Sequence, residues 1–172
     1  MNHMLNTIDR SLPIVRVLAM YWAGFWLLNG GDKFFNGTYF YGVTRDDAFA
    51  EYFSRLGLSA SLASDVLYSV SVFEVILGLF FVVMIFYPTM KLALNRLSFK
   101  LSLLLFTFFC MGDTLFGDRI ELLEHSTYIG VVLISYWLAL TSEEAAVQAP
   151  ENAREAERPA AQFGPSPSMS KR

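Results

Sequence analysis

Residues 62–87, LASDVLYSVSVFEVILGLFFVVMIFY, decide how the rest of the chain can fold. This stretch is apolar over a length that lets a helix cross the roughly 30 Å hydrocarbon core of a bilayer with some tilt. Its one ionisable residue away from the ends is Glu74, which falls near the expected midplane. A carboxylate at that depth costs about 2.5 to 3.5 kcal/mol unless it is neutral or paired. The sequence therefore predicts a membrane helix whose Glu74 is turned away from lipid.

The surroundings of Glu74 support the same orientation. Ser71, Glu74 and Gly78 are spaced at i, i+3 and i+7, so they share one helix face. In a membrane helix, a face of small and polar residues packs against other helices. Glu74 then has two interpretations: a protonated or hydrogen-bonded packing residue, or a carboxyl that carries protons or faces a quinone. It is the candidate catalytic residue.

The composition predicts one integral membrane domain and excludes several classes of site. The chain has 172 residues, of which 54% are hydrophobic and 17% charged. Its single cysteine, Cys110, rules out an intrachain disulfide, and no zinc-type or thioredoxin-type cysteine spacing exists. There is no glycine-rich phosphate loop and no basic, aromatic-interleaved patch, so nucleic acid is not an expected partner.

Four apolar runs predict an all-α fold, a four-helix transmembrane bundle. The runs cover residues 14–30, 62–87, 97–116 and 118–140, the last opened by Asp118 with Glu121 as a capping box. The long connection 31–61 contains an amphipathic pattern over residues 46–56, which predicts a short helix at the membrane surface. Residues 142–172 are rich in Ala, Glu, Pro and Ser, so we expect a domain over 1–141 followed by a disordered cytoplasmic tail.

The distribution of basic residues predicts the orientation in the membrane. Segment 88–100 carries Lys91, Arg96 and Lys100 and no acidic residue, whereas segments 31–61 and 113–125 are acidic. The positive-inside rule then places segment 88–100 and both termini in the cytoplasm, and the two acidic segments outside. The expected location is the bacterial cytoplasmic (inner) membrane.

A polar cluster is predicted at the outer end of the fourth helix. Glu121, Glu124, His125 and Tyr128 have offsets of 3, 4 and 7, which place them on one face. The Glu-x-x-His spacing of di-iron bundles is missing, so we expect a hydrogen-bonded cluster and no metal site.

The first helix ends in polar groups beside two tryptophans: Asn29, Asp32, Lys33, Trp22 and Trp26. One interpretation is an aromatic belt at the membrane surface, anchored by the lysine. The other pairs Lys33 with an acidic residue across the outer end, and the candidates are Asp113, Glu121 and Glu124. Helix rise puts Lys33 and Glu74 about 14 Å apart in depth, so a direct ion pair between them is not expected. The candidate binding residues are Lys33, Asp113, Glu121, Glu124 and His125.

Several of these motifs together resemble a known family. Arg16, Gly24 and the pattern Phe25-x4-Gly30-x2-Lys33-Phe34 look like the first helix of the DoxX/DoxD-like family of small four-helix membrane proteins. The segment 73–78, FEVILG, resembles the second helix of that family, and Leu56-Gly57-Leu58 before it also fits. The resemblance covers residues 12–140.

This resemblance implies a four-helix transmembrane bundle and suggests a redox context. Some relatives are subunits of a thiosulfate:quinone oxidoreductase, and others are tied to thiol and oxidative-stress systems. Because this chain lacks a cysteine pair, the resemblance does not extend to a direct thiol–disulfide mechanism.

Three classes of function remain open. The first is a membrane subunit of a redox or quinone-linked system, which would make the chain at most one subunit of an oxidoreductase. The others are a structural or accessory membrane protein, and a small-solute or proton pathway formed by an oligomer. The sequence has no ligand set for haem, iron–sulfur or flavin, so quinone is the one candidate cofactor. The expected partners are the lipid bilayer, a redox protein and further copies of the chain.

Overall fold

The computed structural model describes residues 13–34, 45–87 and 91–157, and over these ranges the protein is helical without any β-strand. The five helices are α1 (Ile14–Phe34), α2 (Arg45–Arg55), α3 (Ala60–Phe86), α4 (Lys91–Phe116) and α5 (Arg119–Glu157). The short helix predicted in the long connection is confirmed as α2.

The four long helices pack in a ring around one apolar core. α1 packs against α3 and α5, and α4 packs against the same two helices. The core takes large side chains from each of α1, α3 and α4, with Trp22, Phe81 and Phe106 fully buried, and Val132 from α5. The all-helical prediction is therefore confirmed for the described residues.

Two helices of the described ranges are long and apolar enough to cross a membrane. They are Ala60–Phe86, which is α3, and Ala93–Phe116, which is most of α4. α1 contains Arg16 and Asn29 within its apolar run, and α5 begins with polar turns. That all four long helices span the bilayer stays a prediction.

Two glycines with positive φ end helices and set the direction of the next one. At the end of α2, Gly57 has φ of 73°, and Leu58 N donates to Phe53 O at 3.0 Å. At the end of α4, Gly117 has φ of 79°, and Asp118 N donates to Asp113 O at 2.9 Å. Both are Schellman closures, in which glycine avoids the strain that a Cβ meets in the left-handed region.

α1 and α3 approach each other closely because each contributes a glycine. A Cβ on Gly30 would lie 2.9 Å from the carbonyl oxygen of Ser71, and one on Gly78 would lie 2.7 Å from Leu27 Cγ. The order of these contacts makes the two helices antiparallel. Small residues of this kind let membrane helices pack at short range, as the sequence predicts for the Ser71–Glu74–Gly78 face of α3.

α5 is longer than the sequence predicts. The expected end near residue 140 is wrong, since the helix continues to Glu157 and residues 142–157 are helical rather than disordered. Alanine, glutamate, glutamine and arginine are strong helix formers, and extending a helix that is already nucleated costs little. The domain boundary at residue 141 stays a prediction, and residues 158–172 lie outside the described part of the chain.

Candidate functional site

Lys33 and Glu74 form a buried ion pair between α1 and α3, which we call the sealed pair. Lys33 Nζ contacts Glu74 Oε2, and the two side chains are 7% and 2% exposed. The ammonium also donates to the carbonyl oxygen of Asn29 at 3.3 Å. Desolvating two charges is costly, and close contact together with further hydrogen bonds offsets that cost.

The sealed pair corrects the expectation that Lys33 and Glu74 lie too far apart in depth. That expectation placed the end of α1 level with the start of α3. In the structure, Gly30 sits against Ser71 and Glu74, so the last turn of α1 meets the middle of α3. The first turns of α3 continue past the end of α1, and α2 packs on α3.

Both interpretations of the end of α1 are also wrong. Trp22 and Trp26 are fully buried in the core, so they do not form a belt at the membrane surface. Lys33 pairs with Glu74 rather than with an acidic residue of α4 or α5. Lys33 lies on the same helix face as Ala19, Ala23, Trp26 and Gly30, which are all buried. This spacing in the sequence could have indicated that Lys33 faces the interior.

A second polar group lies where α4 ends and α5 begins, and we call it the open cluster: Asp113, Glu121 and His125. His125 Nδ1 lies 2.7 Å from Asp113 Oδ2, and His125 Nε2 lies 3.8 Å from Glu121 Oε2. The side chains of His125, Asp113 and Glu121 are 19%, 13% and 37% exposed, so the cluster is reachable from outside the bundle. Asp113 was not part of the predicted polar cluster, and the predicted member Glu124 is exposed and hydrogen-bonds with Tyr128.

Aromatic rings line the inner side of the open cluster. The His125 ring centroid lies 4.9 Å from that of Phe109 and 6.1 Å from that of Phe106. Phe106 in turn stacks on Tyr128 at 5.3 Å and lies 4.9 Å from the Trp26 ring. The imidazole therefore has a carboxylate on one side and an apolar aromatic wall on the other.

Asp118 connects the open cluster to α2. Its Oδ1 accepts from the backbone N–H groups of Ile120 and Glu121, both at 3.1 Å, so it caps α5 as predicted. Its Oδ2 accepts from the Tyr52 hydroxyl at 2.5 Å. Burial acts to raise the pKa of Asp118, but the Tyr52 and backbone hydrogen bonds and the nearby His125 outweigh it, and the pKa lies below its ordinary value.

Glu121 does not close a reciprocal capping box, and its titration differs from that of Asp118. The Asp118 N–H donates to the Asp113 carbonyl, and Glu121 faces His125. Burial raises the pKa of Glu121 above its ordinary value; His125 acts to lower it, while Glu124 and the other neighbouring carboxylates act to raise it. Two carboxyls three residues apart are thus shifted in opposite directions.

Sequence reasoning missed a buried polar face on α4. Asn95, Ser98 and Ser102 are all fully buried, and Ser102 Oγ accepts a hydrogen bond from Trp26 Nε1 at 3.1 Å. Their spacing of 3 and 4 residues is the signal that could have revealed this face, because it is the same one that identified the Ser71–Glu74–Gly78 face. The sequence contains no comparable pattern for the Tyr52–Asp118 contact, since the two residues lie 66 positions apart.

Among the described residues, no group of three or more His, Cys, Asp and Glu side chains is arranged to hold a metal ion. Comparison of the chain with protein-family models, with curated proteins and with solved structures gave no match. The DoxX/DoxD-like family therefore stays a prediction from short motifs.

Proposed function

We propose that the chain is a DoxX-like integral membrane protein that serves as a membrane subunit of a quinone-linked redox system. Two helices with the length and composition of membrane spans support the membrane part of the proposal. The four long helices also expose large apolar side chains, as lipid contact requires; examples are Leu28, Ile76, Phe108 and Ile134. The proposed location is the bacterial cytoplasmic membrane with both termini in the cytoplasm.

The observation that supports the quinone link is the hydrogen-bonded His125–Asp113 pair beside aromatic rings. Reduction of a quinone to a quinol takes up two electrons and two protons. Histidine is the side chain that ordinarily exchanges protons near neutral pH, and aromatic rings supply the flat apolar contacts that a quinone ring needs. The residues that would hold the quinone are His125, Phe109 and Phe106.

In this proposal each polar residue of the open cluster has a role. Asp113 accepts from His125 Nδ1, which orients the imidazole and leaves Nε2 as the atom that gains or loses a proton. Glu121 Oε2 lies 3.8 Å from Nε2, close enough to pass a proton to or from the imidazole through one bridging group. In this proposal a partner protein supplies the electrons. The residues of the open cluster bind the quinone and transfer the protons.

The proposal is tested by purifying the full chain in mild detergent and measuring bound quinone and co-purifying proteins by mass spectrometry. We expect quinone to be bound to the parent protein. His125→Gln and Asp113→Asn should each lose most of the bound quinone. The matched control is His3→Gln, which changes the other histidine of the chain and should retain quinone. Quinone bound equally to the parent and to His125→Gln, or absent from the parent, would contradict the proposal.

A second candidate is a structural or accessory membrane protein without chemistry, and the sealed pair favours it. Lys33 and Glu74 are too buried to meet a ligand from outside, so their effect is to fix α1 on α3. Under this candidate, partner proteins co-purify equally with the parent and with His125→Gln, whereas Lys33→Met loses them because the bundle is disturbed. Loss of the partner in His125→Gln with an intact fold would favour the redox proposal instead.

The orientation has its own test. In a Cys110→Ser background, we expect Thr44→Cys to react with an impermeant thiol reagent on intact cells and Ser142→Cys to react only after permeabilisation. This follows from the basic residues of segment 88–100. The reverse labelling pattern would overturn the orientation and place the open cluster on the cytoplasmic side.

A further inference from the structure

The buried polar face of α4 meets the two tryptophans of α1. Trp26 Nε1 donates to Ser102 Oγ at 3.1 Å, and both residues are fully buried. Trp22 lies one turn earlier on α1, is equally buried, and its ring stacks on that of Trp26 at 6.3 Å. Yet Trp22 Nε1 has no hydrogen-bond acceptor among the described residues. A buried N–H without a partner loses its hydration without compensation, so it indicates an acceptor outside the described residues.

The register of α1 and α4 indicates which polar residue of α4 lies at the level of Trp22. α1 is antiparallel to α3, and α4 folds back on α3 with Phe99 against Phe81, so α1 and α4 run in the same direction. Trp26 and Ser102 are 76 positions apart. One turn back along both helices, this register leads from Trp26 and Ser102 to Trp22 and Ser98, which is also fully buried.

The hydrogen bonds of Ser98 define what can lie between it and Trp22. Its hydroxyl proton is already donated to the carbonyl oxygen of Leu94 at 2.7 Å, so Ser98 Oγ can only accept from a further partner. Trp22 Nε1 can only donate. A group that bridges the two must therefore accept one hydrogen bond and donate another.

We propose that a hydroxyl-bearing molecule binds in the bundle interior between Trp22 Nε1 and Ser98 Oγ. Water and the hydroxyl of a quinol both have this chemistry, whereas a quinone carbonyl accepts but cannot donate and so satisfies Trp22 alone. The bridge repeats the direct Trp26–Ser102 bond one turn deeper and completes a continuous polar line along α4 that also includes Asn95. This site does not involve the open cluster, and it stands whether or not the proposed function holds.

The test uses the indole N–H resonances of the full-length protein labelled with ¹⁵N-tryptophan in detergent. The chain has three tryptophans, so three resonances are expected, and Trp22→Phe and Trp26→Phe assign two of them. We expect the Trp22 resonance at a hydrogen-bonded, downfield position near that of Trp26. Ser98→Ala should shift the Trp22 resonance and leave Trp26 unchanged, and Ser102→Ala should do the opposite. Ser98→Cys, which keeps a weak acceptor, should give a smaller shift in the same direction.

Two further measurements identify the source of the hydroxyl. A magnetisation-transfer peak between the Trp22 indole proton and water, present without added quinol, identifies water. A downfield Trp22 resonance that appears only when a short-chain quinol is added identifies a ligand hydroxyl. A Trp22 resonance at the upfield position of an unbonded indole under both conditions, or one that Ser98→Ala does not move, would overturn the proposal.

Discussion

The sealed pair and the open cluster each join two helices through charged groups, but they do so in opposite ways. Lys33 and Glu74 are almost completely withdrawn from solvent, beside glycines that bring the two backbones together. Asp113, Glu121 and His125 lie at the end of the bundle, where Gly117 turns the chain and aromatic rings fill the space behind them. The first arrangement suits a fixed contact, and the second leaves its side chains partly exposed.

This difference changes which residues are the better candidates for chemistry: the sequence suggests Glu74, and the structure favours the residues of the open cluster. Glu74 draws notice first because a lone carboxyl in an apolar helix is costly. In the structure the ion pair with Lys33 offsets that cost, so removing either charge leaves the other buried without its ion pair. The side chains of the open cluster, at the end of α4 and the start of α5, are by contrast partly exposed.

The largest effect is expected from breaking the sealed pair. Lys33→Met or Glu74→Gln should lower the free energy of unfolding by about 3 to 5 kcal/mol, because each leaves one buried charge without its partner. The double variant Lys33→Met/Glu74→Leu should recover most of that loss. The measurement is chemical unfolding in detergent followed by circular dichroism.

The matched control is Arg55→Ala, which breaks the exposed Arg55–Glu51 pair and should cost less than about 1 kcal/mol. If Lys33→Met unfolds at the same denaturant concentration as the parent, the pair contributes nothing to the fold and the comparison fails.

A smaller effect is expected from widening the contact between α1 and α3. Gly30→Ala places a methyl group 2.9 Å from a backbone carbonyl that cannot move aside easily, so we expect a loss of about 1 to 3 kcal/mol. Gly24→Ala is the control, since no heavy atom lies within 4 Å of its added Cβ, and it should be neutral or slightly stabilising. Thermal unfolding of both variants checks this. Equal midpoints would show that close approach of the backbones does not stabilise the contact between α1 and α3.

The smallest effect concerns Asp118, beside the open cluster. Its pKa in the folded protein lies below the ordinary value of 3.8, so folding favours the ionised form. The resulting stabilisation is present above the ordinary pKa and is lost as the pH falls through the folded-state pKa. Asp118→Asn keeps a capping side chain but cannot ionise, so its unfolding midpoint should fall less steeply below pH 4.

Unfolding midpoints measured between about pH 7 and pH 3 test this difference. Asp65→Asn, at an exposed carboxyl of α3, serves as the control and should keep the acid dependence of the parent. A slope in Asp118→Asn as steep as that of the parent would show that the Tyr52 contact does not depend on the charge.

Much of the helical plan follows from local patterns. Four features are where the sequence places them: the start of α1 at Ile14, the helix α2, the end of α4 at Phe116 and the cap of α5 at Asp118. Each depends on residues a few positions apart, for which capping and turn preferences are strong. The end of α5 was missed because helix formers and disordered tails share much of their composition.

The pairing between helices was predicted less well, for a geometric reason. The face that holds Glu74 was identified correctly, since periodicity shows which residues share a face. Periodicity does not give the axial offset of two helices, and that offset is set by where Gly30 meets Ser71 and Glu74. The sequence analysis assumed that the end of α1 lies level with the start of α3, and this assumption placed Lys33 and Glu74 too far apart to form their ion pair.

The Tyr52–Asp118 hydrogen bond also constrains the order in which the protein can be completed on the ribosome. Its two residues are 66 positions apart, and α3 and α4 are made between them. Phe116, on which the Tyr52 ring stacks at 5.1 Å, is equally late in the chain. During translation, α2 therefore exists long before the surface that receives its aromatic side chains, and these contacts cannot form until the turn at Gly117 has been synthesised.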